Sequence, residues 1–128
     1  RSVYVKVKRS LQDPILRSHD MADTDSTCPV RFTTTVPTQS LTMLNGEFVN
    51  DSALLFADRI RRTAGPSFTE QVECGLSIVF SRKPQPQEVQ AGVRMMEEVA
   101  RVGNLSPKEA LNRFALLALN LNEFIYLD

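Results

Sequence analysis

The sequence predicts a mainly α-helical fold: a compact array of about five helices with a short N-terminal β-strand or two-stranded element. Apolar residues recur at three- and four-residue intervals from residue 37 onward, which is the period of an amphipathic helix. Prolines, glycines and capping residues separate these stretches by short links, which favours antiparallel neighbouring helices. We therefore expect a single domain of 128 residues, with residues 1–36 as an extended or irregular lead-in and residues 37–128 as the helical core.

The lead-in begins with a strand pattern. In "SVYVKVKR" valine occupies every second position, which is typical of a half-buried strand with its basic residues facing solvent. A lone strand leaves backbone groups unpaired, so it needs a partner, and residues 30–36 and 124–128 are the candidates. The segment between the strand pattern and residues 30–36 comprises residues 11–29. It is polar and contains prolines, and we expect it to be irregular.

The first two helices are predicted from their ends. Thr35 or Val36 begins a short helix with Pro37 in its first turn, where a missing N–H costs nothing, and Asn45-Gly46 ends it. We expect Asn50 to cap a second helix, which ends at Gly65-Pro66. The apolar face of this second helix consists of Ala53, Phe56, Ala57 and Ile60.

Three further helices follow, two of them opened by capping boxes. Ser67 with Glu70, and Ser106 with Glu109, have the spacing at which each side chain bonds the other residue's backbone N–H. Between them, Pro86 lies in the first turn of a helix that Gly103 ends. The apolar positions predicted to face the core are Phe68, Val72, Leu76, Val79, Phe80, Val89, Val93, Met96, Ala100, Leu111, Phe114, Leu117, Ala118 and Leu121.

Composition narrows the function classes. Fifteen basic and fifteen acidic side chains cancel, so the chain lacks the basic excess typical of nucleic-acid binding, and its apolar runs are too short for a membrane span. The first residue is Arg1 rather than methionine, and we expect a piece of a longer protein. Cys28 and Cys74 are too few for a zinc site or haem attachment. We favour two separate thiols over a disulfide, and we predict no cofactor in this chain.

Two stretches resemble a known family. They are "RSVYVKVKR…TTTVPTQSLTMLNGEFV" near the start and "ALLALNLNEFIYLD" at the end, joined by "SRKPQPQEV" between them. Together they are similar to the C-terminal part of a planctomycete domain family of unknown function, found behind planctomycete cytochrome-c-like modules. The motif residues that carry the resemblance are Arg9, Thr34, Thr35, Pro37, Gln39, Asn45, Asn122, Glu123, Phe124, Tyr126 and Asp128.

The resemblance implies a location and a gene neighbourhood for this protein, but it implies no reaction. It implies an extracytoplasmic location in a bacterium, because cytochrome-c-like partners mature outside the cytoplasm. It also implies that the gene lies near genes for sulfatases and for enzymes of polysaccharide breakdown. The family defines no catalytic residues, so none is carried over to this chain, and any haem module lies outside it.

The threonine run before Pro37 suggests a ligand site. Arg31, Thr33, Thr34, Thr35 and Gln39 combine an arginine fork, hydroxyl groups and a helix N-terminus, which suit a sulfate or a sugar. The same side chains could instead satisfy backbone groups where a strand gives way to a helix, and we favour this structural interpretation.

The acidic segment "SHDMADTDSTC" raises two further hypotheses. Its three aspartates could converge on a calcium or transition-metal ion, but the order of an EF-hand loop is absent. His19 and Cys28 could form a base and a nucleophile, without any local signature of a known family. We favour a solvated, turn-rich loop in which the aspartates act as local caps, and we assign no catalytic or metal residues.

The remaining charged and aromatic features have structural interpretations. The basic residues Arg59, Arg61, Arg62, Arg82 and Lys83 fit helix C-terminal ends, where cations interact with the helix dipole. The tail "NEFIYLD" either docks on another domain or covers the core of this chain, and we favour the core.

The sequence therefore favours a non-catalytic helical module of a large extracytoplasmic bacterial protein, which packs against or positions upstream domains of the same chain. One alternative is a binding element for sulfated polysaccharide or other carbohydrate. A second alternative is an accessory part of a hydrolase whose catalytic residues lie upstream.

Overall fold

The computed structural model describes residues 6, 8, 13–22 and 37–125. Contacts divide the chain into two compact units, residues 1–43 and 44–128. The predicted fold class, mainly α, is confirmed in the described ranges. The helices there are α1 (Pro14–Ser18), α2 (Pro37–Asn45), α3 (Glu47–Thr63), α4 (Phe68–Phe80), α5 (Pro86–Gly103), α6 (Pro107–Ala118) and α7 (Asn122–Ile125).

Helix α1 lies where the sequence predicts irregular structure. The Asp13 carboxylate accepts a hydrogen bond from the Leu16 N–H at 3.3 Å, and the Asp13 carbonyl accepts one from the Arg17 N–H at 2.9 Å. These bonds close the first turn, and Asp20 ends the segment with a positive φ of 56°. A helix of five residues is too short to show an apolar period, which is why the pattern missed it.

The predicted N-terminal strand falls almost entirely outside the described residues. Within it, Lys6 and Lys8 are both exposed, and Lys8 takes part in a single β-bridge. Its two suggested partners, residues 30–36 and 124–128, lie outside the described part of the chain except for the first two residues of the second. These two residues, Phe124 and Ile125, belong to helix α7.

Helix α2 has Pro37 in its first turn and ends at Asn45 as predicted, although the predicted start at Thr35 or Val36 lies outside the described residues. Helix α3 begins earlier than predicted. Gly46 is the residue before α3, in an extended conformation, and Asn50 lies inside the helix. The Asn50 amide nitrogen donates back to the carbonyls of Leu44 and Gly46, at 3.2 and 2.9 Å. The prediction that Asn50 caps α3 is therefore wrong, because its side chain satisfies carbonyls at the end of α2 and at the helix junction.

The start of α4 is predicted correctly, but its capping bonds are not. Ser67 is the N-cap residue, with no hydrogen bond from its side chain to the first turn. Instead, the Gln71 side chain donates to the Gly65 carbonyl at 3.2 Å across the loop between α3 and α4. At its other end α4 closes on Ser81, whose φ of 53° is left-handed and turns the chain away from the helix.

Helices α5 and α6 both begin at a proline, and in both a glutamate in the first turn accepts a hydrogen bond from the N–H of the N-cap residue. The predicted box of α6 is confirmed: Glu109 accepts from the Ser106 N–H at 2.8 Å, and Ser106 accepts from the Glu109 N–H at 3.3 Å. At α5 the Glu88 carboxylate accepts from the Gln85 N–H at 2.6 Å. The sequence does not predict this second cap, because glutamine is a weaker N-cap signal than serine.

The core lies among α3, α4, α5 and α6 and centres on Phe114, which is 2% exposed. Gly75 and Gly92 allow this ring to fit. A Cβ added at Gly75 would lie 2.9 Å from Phe114 Cε1, and one at Gly92 would lie 2.6 Å from Val72 Cγ1 and 3.2 Å from Phe114 Cε2. The helices can pack closely around the ring because these two positions have no side chain.

Most of the predicted apolar stripes face this core. Leu117 is an exception, because it is 41% exposed, and Phe124 is another at 46%. The interpretation of Phe124 as a residue that covers the core is therefore wrong, and Tyr126 lies outside the described residues. The buried core residues of α3 to α6 are Ala53, Ala57, Ile60, Val72, Leu76, Val79, Met96, Ala110, Leu111, Phe114, Ala115 and Ala118.

Candidate functional site

The outer face of α3 exposes large apolar side chains. Phe48 is 67% exposed and Leu55 is 73% exposed, one heptad apart on the same helix. Together with three exposed charged residues they form what we call the outer stripe: Phe48, Asp51, Leu55, Arg59 and Arg62. At about 100° per residue these five positions span about 80° of the helix circumference, so they form one continuous strip.

The buried residues on the opposite face of α3 show which way the outer stripe points. Ala53, Ala57 and Ile60 are at most 2% exposed and belong to the core. Helix α3 packs against α6 and α4 through that face. The outer stripe therefore points away from the core of its own unit.

The charges of the outer stripe lack partners in the described part of the chain. Asp58, the carboxylate between the apolar and basic parts of α3, is paired with Arg61. No side-chain hydrogen bond or ion pair is formed there by Asp51, Arg59 or Arg62. A shallow depression of about 250 Å³ lies beside them and is lined by Leu55, Asp58, Arg59, Arg62 and Thr63.

A second charged cluster lies around Arg82, just after α4. The guanidinium donates to both oxygens of Glu123, each at 2.8 Å, and to both oxygens of Glu88, at 2.8 and 3.0 Å. It also lies over the Phe80 ring, with its central carbon 4.5 Å from the ring centroid. Hydrogen bonds from Arg82 and from the Gln85 N–H lower the pKa of Glu88 to about 2, and the two carboxylates raise the pKa of Arg82 above its ordinary value.

The Arg82 cluster stabilises the structure rather than offering a ligand site, because the guanidinium N–H groups are already bonded to Glu88, Glu123 and the Lys83 carbonyl. Glu123 belongs to α7, so the cluster ties that short helix to the loop between α4 and α5. The sequence suggested only that Arg82 acts on the dipole of α4. Its actual partners could not be inferred, since Glu123 is 41 residues away along the chain.

A wider depression than the one beside the outer stripe lies between α4 and α5. It has a volume of about 660 Å³ and mixes apolar side chains with one acidic and one basic residue. Its lining residues are Thr69, Glu73, Lys83, Pro84, Pro86, Gln87, Val89, Gln90 and Val93.

Of the five residues in the predicted sulfate or sugar site, the structure describes only Gln39. Gln39 lies on α2 and is 7% exposed, whereas Arg31, Thr33, Thr34 and Thr35 lie outside the described residues. The sulfate or sugar site therefore stays a prediction.

The acidic segment is described only in part. His19 is exposed, with its Nδ1 3.0 Å from the Ser18 hydroxyl, and Asp20 follows it. Asp23, Asp25 and Cys28 are outside the described residues, so the metal and nucleophile hypotheses are not tested. Within the described ranges there is no group of three His, Cys, Asp or Glu side chains that could hold a metal ion. Cys74 is a free thiol, half-buried in α4.

Among the described residues, no helix combines the length and the apolar character that crossing a membrane requires.

Comparisons with known proteins give one match. Neither the curated proteins nor the solved structures give a match to this chain. A family model for PSD1, described as a protein of unknown function (DUF1553), matches residues 1–96 of the 128. The match takes in α1 to α4 and most of α5, including the whole of the outer stripe, and the chain accordingly belongs to the PSD1 (DUF1553) family of unknown function.

Proposed function

We propose that this chain is a non-catalytic helical module of a larger protein, and that it packs against or positions neighbouring domains through the outer stripe of α3. The observation that carries the proposal is the exposure of Phe48 and Leu55, at 67% and 73%, on a helix whose other face is fully packed. Apolar residues exposed singly are common on protein surfaces, whereas grouped exposed apolar residues mark contact surfaces.

The energetics of the stripe fit a docking surface. Burying a phenylalanine or leucine side chain that was exposed stabilises a complex by about 1.5–3 kcal/mol each. Arg59 and Arg62 lie next to Leu55 on the same strip, and arginine is enriched at contact surfaces. The stripe thus has an apolar centre with charged neighbours, and a partner with carboxylates beside an apolar residue would complement it.

The proposal places the partners upstream in the same polypeptide. It places the protein outside the bacterial cytoplasm, in the company of a cytochrome-c-like module and of polysaccharide breakdown. The support for this setting is the resemblance of the two quoted stretches to the planctomycete family. Membership of the PSD1 family is consistent with it and assigns no activity.

The test measures binding between this chain and the upstream part of the same protein, produced separately. Replacing Leu55→Ser together with Phe48→Ser should weaken the complex at least tenfold, which corresponds to about 1.4 kcal/mol. Val102→Ser is the matched control, because Val102 is 71% exposed but lies on α5. Isothermal titration calorimetry gives the affinities, and circular dichroism checks that each variant is folded. If the double variant binds as tightly as the control, the outer stripe is not the contact surface.

A further inference from the structure

We infer that the outer stripe of α3 pairs with the outer stripe of a second copy of this chain, with the two helices antiparallel across a two-fold axis. This inference rests on the proposed function only in taking the outer stripe as a contact surface, and it assigns a second copy of the chain to that surface as its occupant. It is carried by an additional observation, which is that the order of the residues along the stripe is self-complementary.

The spacing of the stripe is the same in both directions. From Phe48 to Arg62 the steps are three, four, four and three residues, with Leu55 at the centre. Steps of three and four are those with which side chains of one helix fit between those of another. Because the pattern is symmetric about Leu55, an antiparallel second copy presents the same steps in register over about 21 Å of helix.

The chemistry of the facing positions is also complementary. In this register Leu55 meets Leu55 of the second copy, which buries two apolar side chains at the centre. Asp51 meets Arg59 of the second copy, which forms an ion pair, and the two-fold axis repeats that pair on the other side. Phe48 meets Arg62 of the second copy, and a guanidinium over an aromatic ring is a favourable contact.

A parallel arrangement does not have this property. With the two helices parallel and in register, Asp51 would face Asp51, and Arg59 and Arg62 would each face an identical arginine. Like charges in contact disfavour that arrangement. The carboxylate of Asp51 and the guanidinium groups of Arg59 and Arg62, which have no side-chain partner among the described residues, therefore specify the antiparallel direction.

The stripe is accessible for such a contact. All five residues are exposed, and none belongs to the core cluster. Helix α3 lies entirely in the unit of residues 44–128, so its contacts with α4 and α6 within that unit leave the outer stripe open. A contact of this limited extent predicts a reversible dimer whose population depends on protein concentration.

The first experiment is sedimentation equilibrium of the full 128-residue chain up to about 1 mM, at which even weak specific complexes are populated. We expect a monomer–dimer equilibrium that Leu55→Ser weakens at least tenfold and Val102→Ser leaves unchanged. The ion pairs should also make dimerisation weaker as salt increases. A chain that stays monomeric over this range refutes the inference.

The second experiment tests the direction of pairing with two charge reversals. Asp51→Arg gives a chain with cations at both ion-pair positions, and Arg59→Asp gives a chain with carboxylates at both. Each variant alone should dimerise at least tenfold more weakly than the natural chain, while the double variant, with the pair exchanged, should recover. An equal mixture of the two single variants should form a heterodimer in preference to either homodimer, detected by native mass spectrometry. Absence of this heterodimer, with both variants folded, refutes the antiparallel register.

The two proposals can fail separately. If the chain is monomeric and the outer-stripe double variant still weakens binding to the upstream domains, the stripe is a contact surface for those domains and the self-pairing is wrong. If the chain dimerises through the stripe and the upstream domains bind the double variant normally, the self-pairing stands and the domain-docking function is wrong.

Discussion

Placing a methyl group at Gly75 tests whether the core is built around a rigid Phe114 ring. A Cβ at this position would lie 2.9 Å from Phe114 Cε1 and 3.0 Å from Ile60 Cδ1. Both neighbours are at most 2% exposed, so neither can swing into solvent to make room. Alanine in place of glycine favours a helix by about 0.5–1 kcal/mol, whereas overpacking a filled core costs about 1–3 kcal/mol. The balance predicts that Gly75→Ala destabilises the chain by about 1–2 kcal/mol.

Thermal unfolding and urea denaturation measure this change. For a unit of 60–100 residues, such a loss lowers the midpoint temperature by about 4–16 °C. The matched comparison is Gly75→Ala in a Phe114→Leu background, where the smaller side chain leaves space for the methyl group. There we expect the substitution to be neutral or stabilising, with a coupling between the two sites of about 0.5–3 kcal/mol. If Gly75→Ala is as destabilising with leucine at position 114 as with phenylalanine, the ring is not what the methyl group meets.

Two further predictions concern the caps. Glu88 has a lowered pKa in the folded chain, about 2 against an ordinary 4.5, because it is bonded by Arg82 and by the Gln85 N–H. Its stabilising effect is therefore present above about pH 4.5 and is lost as the pH falls toward 2, and Glu88→Gln should flatten the fall in midpoint temperature over that range. An unchanged acid profile in Glu88→Gln would contradict this assignment. Ser106 bonds the Glu109 N–H and carboxylate at the start of α6, so Ser106→Ala should cost about 1 kcal/mol in urea denaturation, with Ser77→Ala on α4 as the control. Equal stability of these two serine variants would show that the cap of α6 contributes nothing.

Much of the helical architecture is predictable because its signals are local. Pro37, Pro86 and Pro107 each occupy the first position of a helix, and the serine at position 106 caps α6 as its spacing predicts. These features depend on bonds among residues within one turn, which a sequence shows directly. Asn50 shows the limit of such reasoning. An asparagine before an apolar stretch fits an N-cap, but the same amide can also reach back to carbonyls at the junction of two helices, and only the structure distinguishes the two.

The contacts between distant residues were not predictable. The pairing of Arg82 with Glu123 joins a loop to the last described helix over 41 residues, and no spacing rule connects them.

The outer stripe is an intermediate case between local signals and distant contacts. Identifying Ala53, Ala57 and Ile60 as the inner face of α3 was correct, and the opposite face then follows from the helical period. What the pattern could not show is that no other described element of the same unit covers Phe48 and Leu55.

The filled inner face of α3 argues that the exposure of Phe48 and Leu55 is a property of the surface. The helix buries Val49, Ala53, Ala57 and Ile60 on its inner side and still exposes two large apolar residues to solvent. Small inward residues allow α3 to lie close to α6, which already supplies Phe114 and Leu111 to the core. Larger residues on that face would overpack a filled interior. The two large outward side chains therefore add nothing to the packing of this unit, and their burial becomes favourable only in a complex. A surface of that kind is what an interaction module requires, and the symmetric order of charges around Leu55 selects a second copy of the chain as the partner to test first.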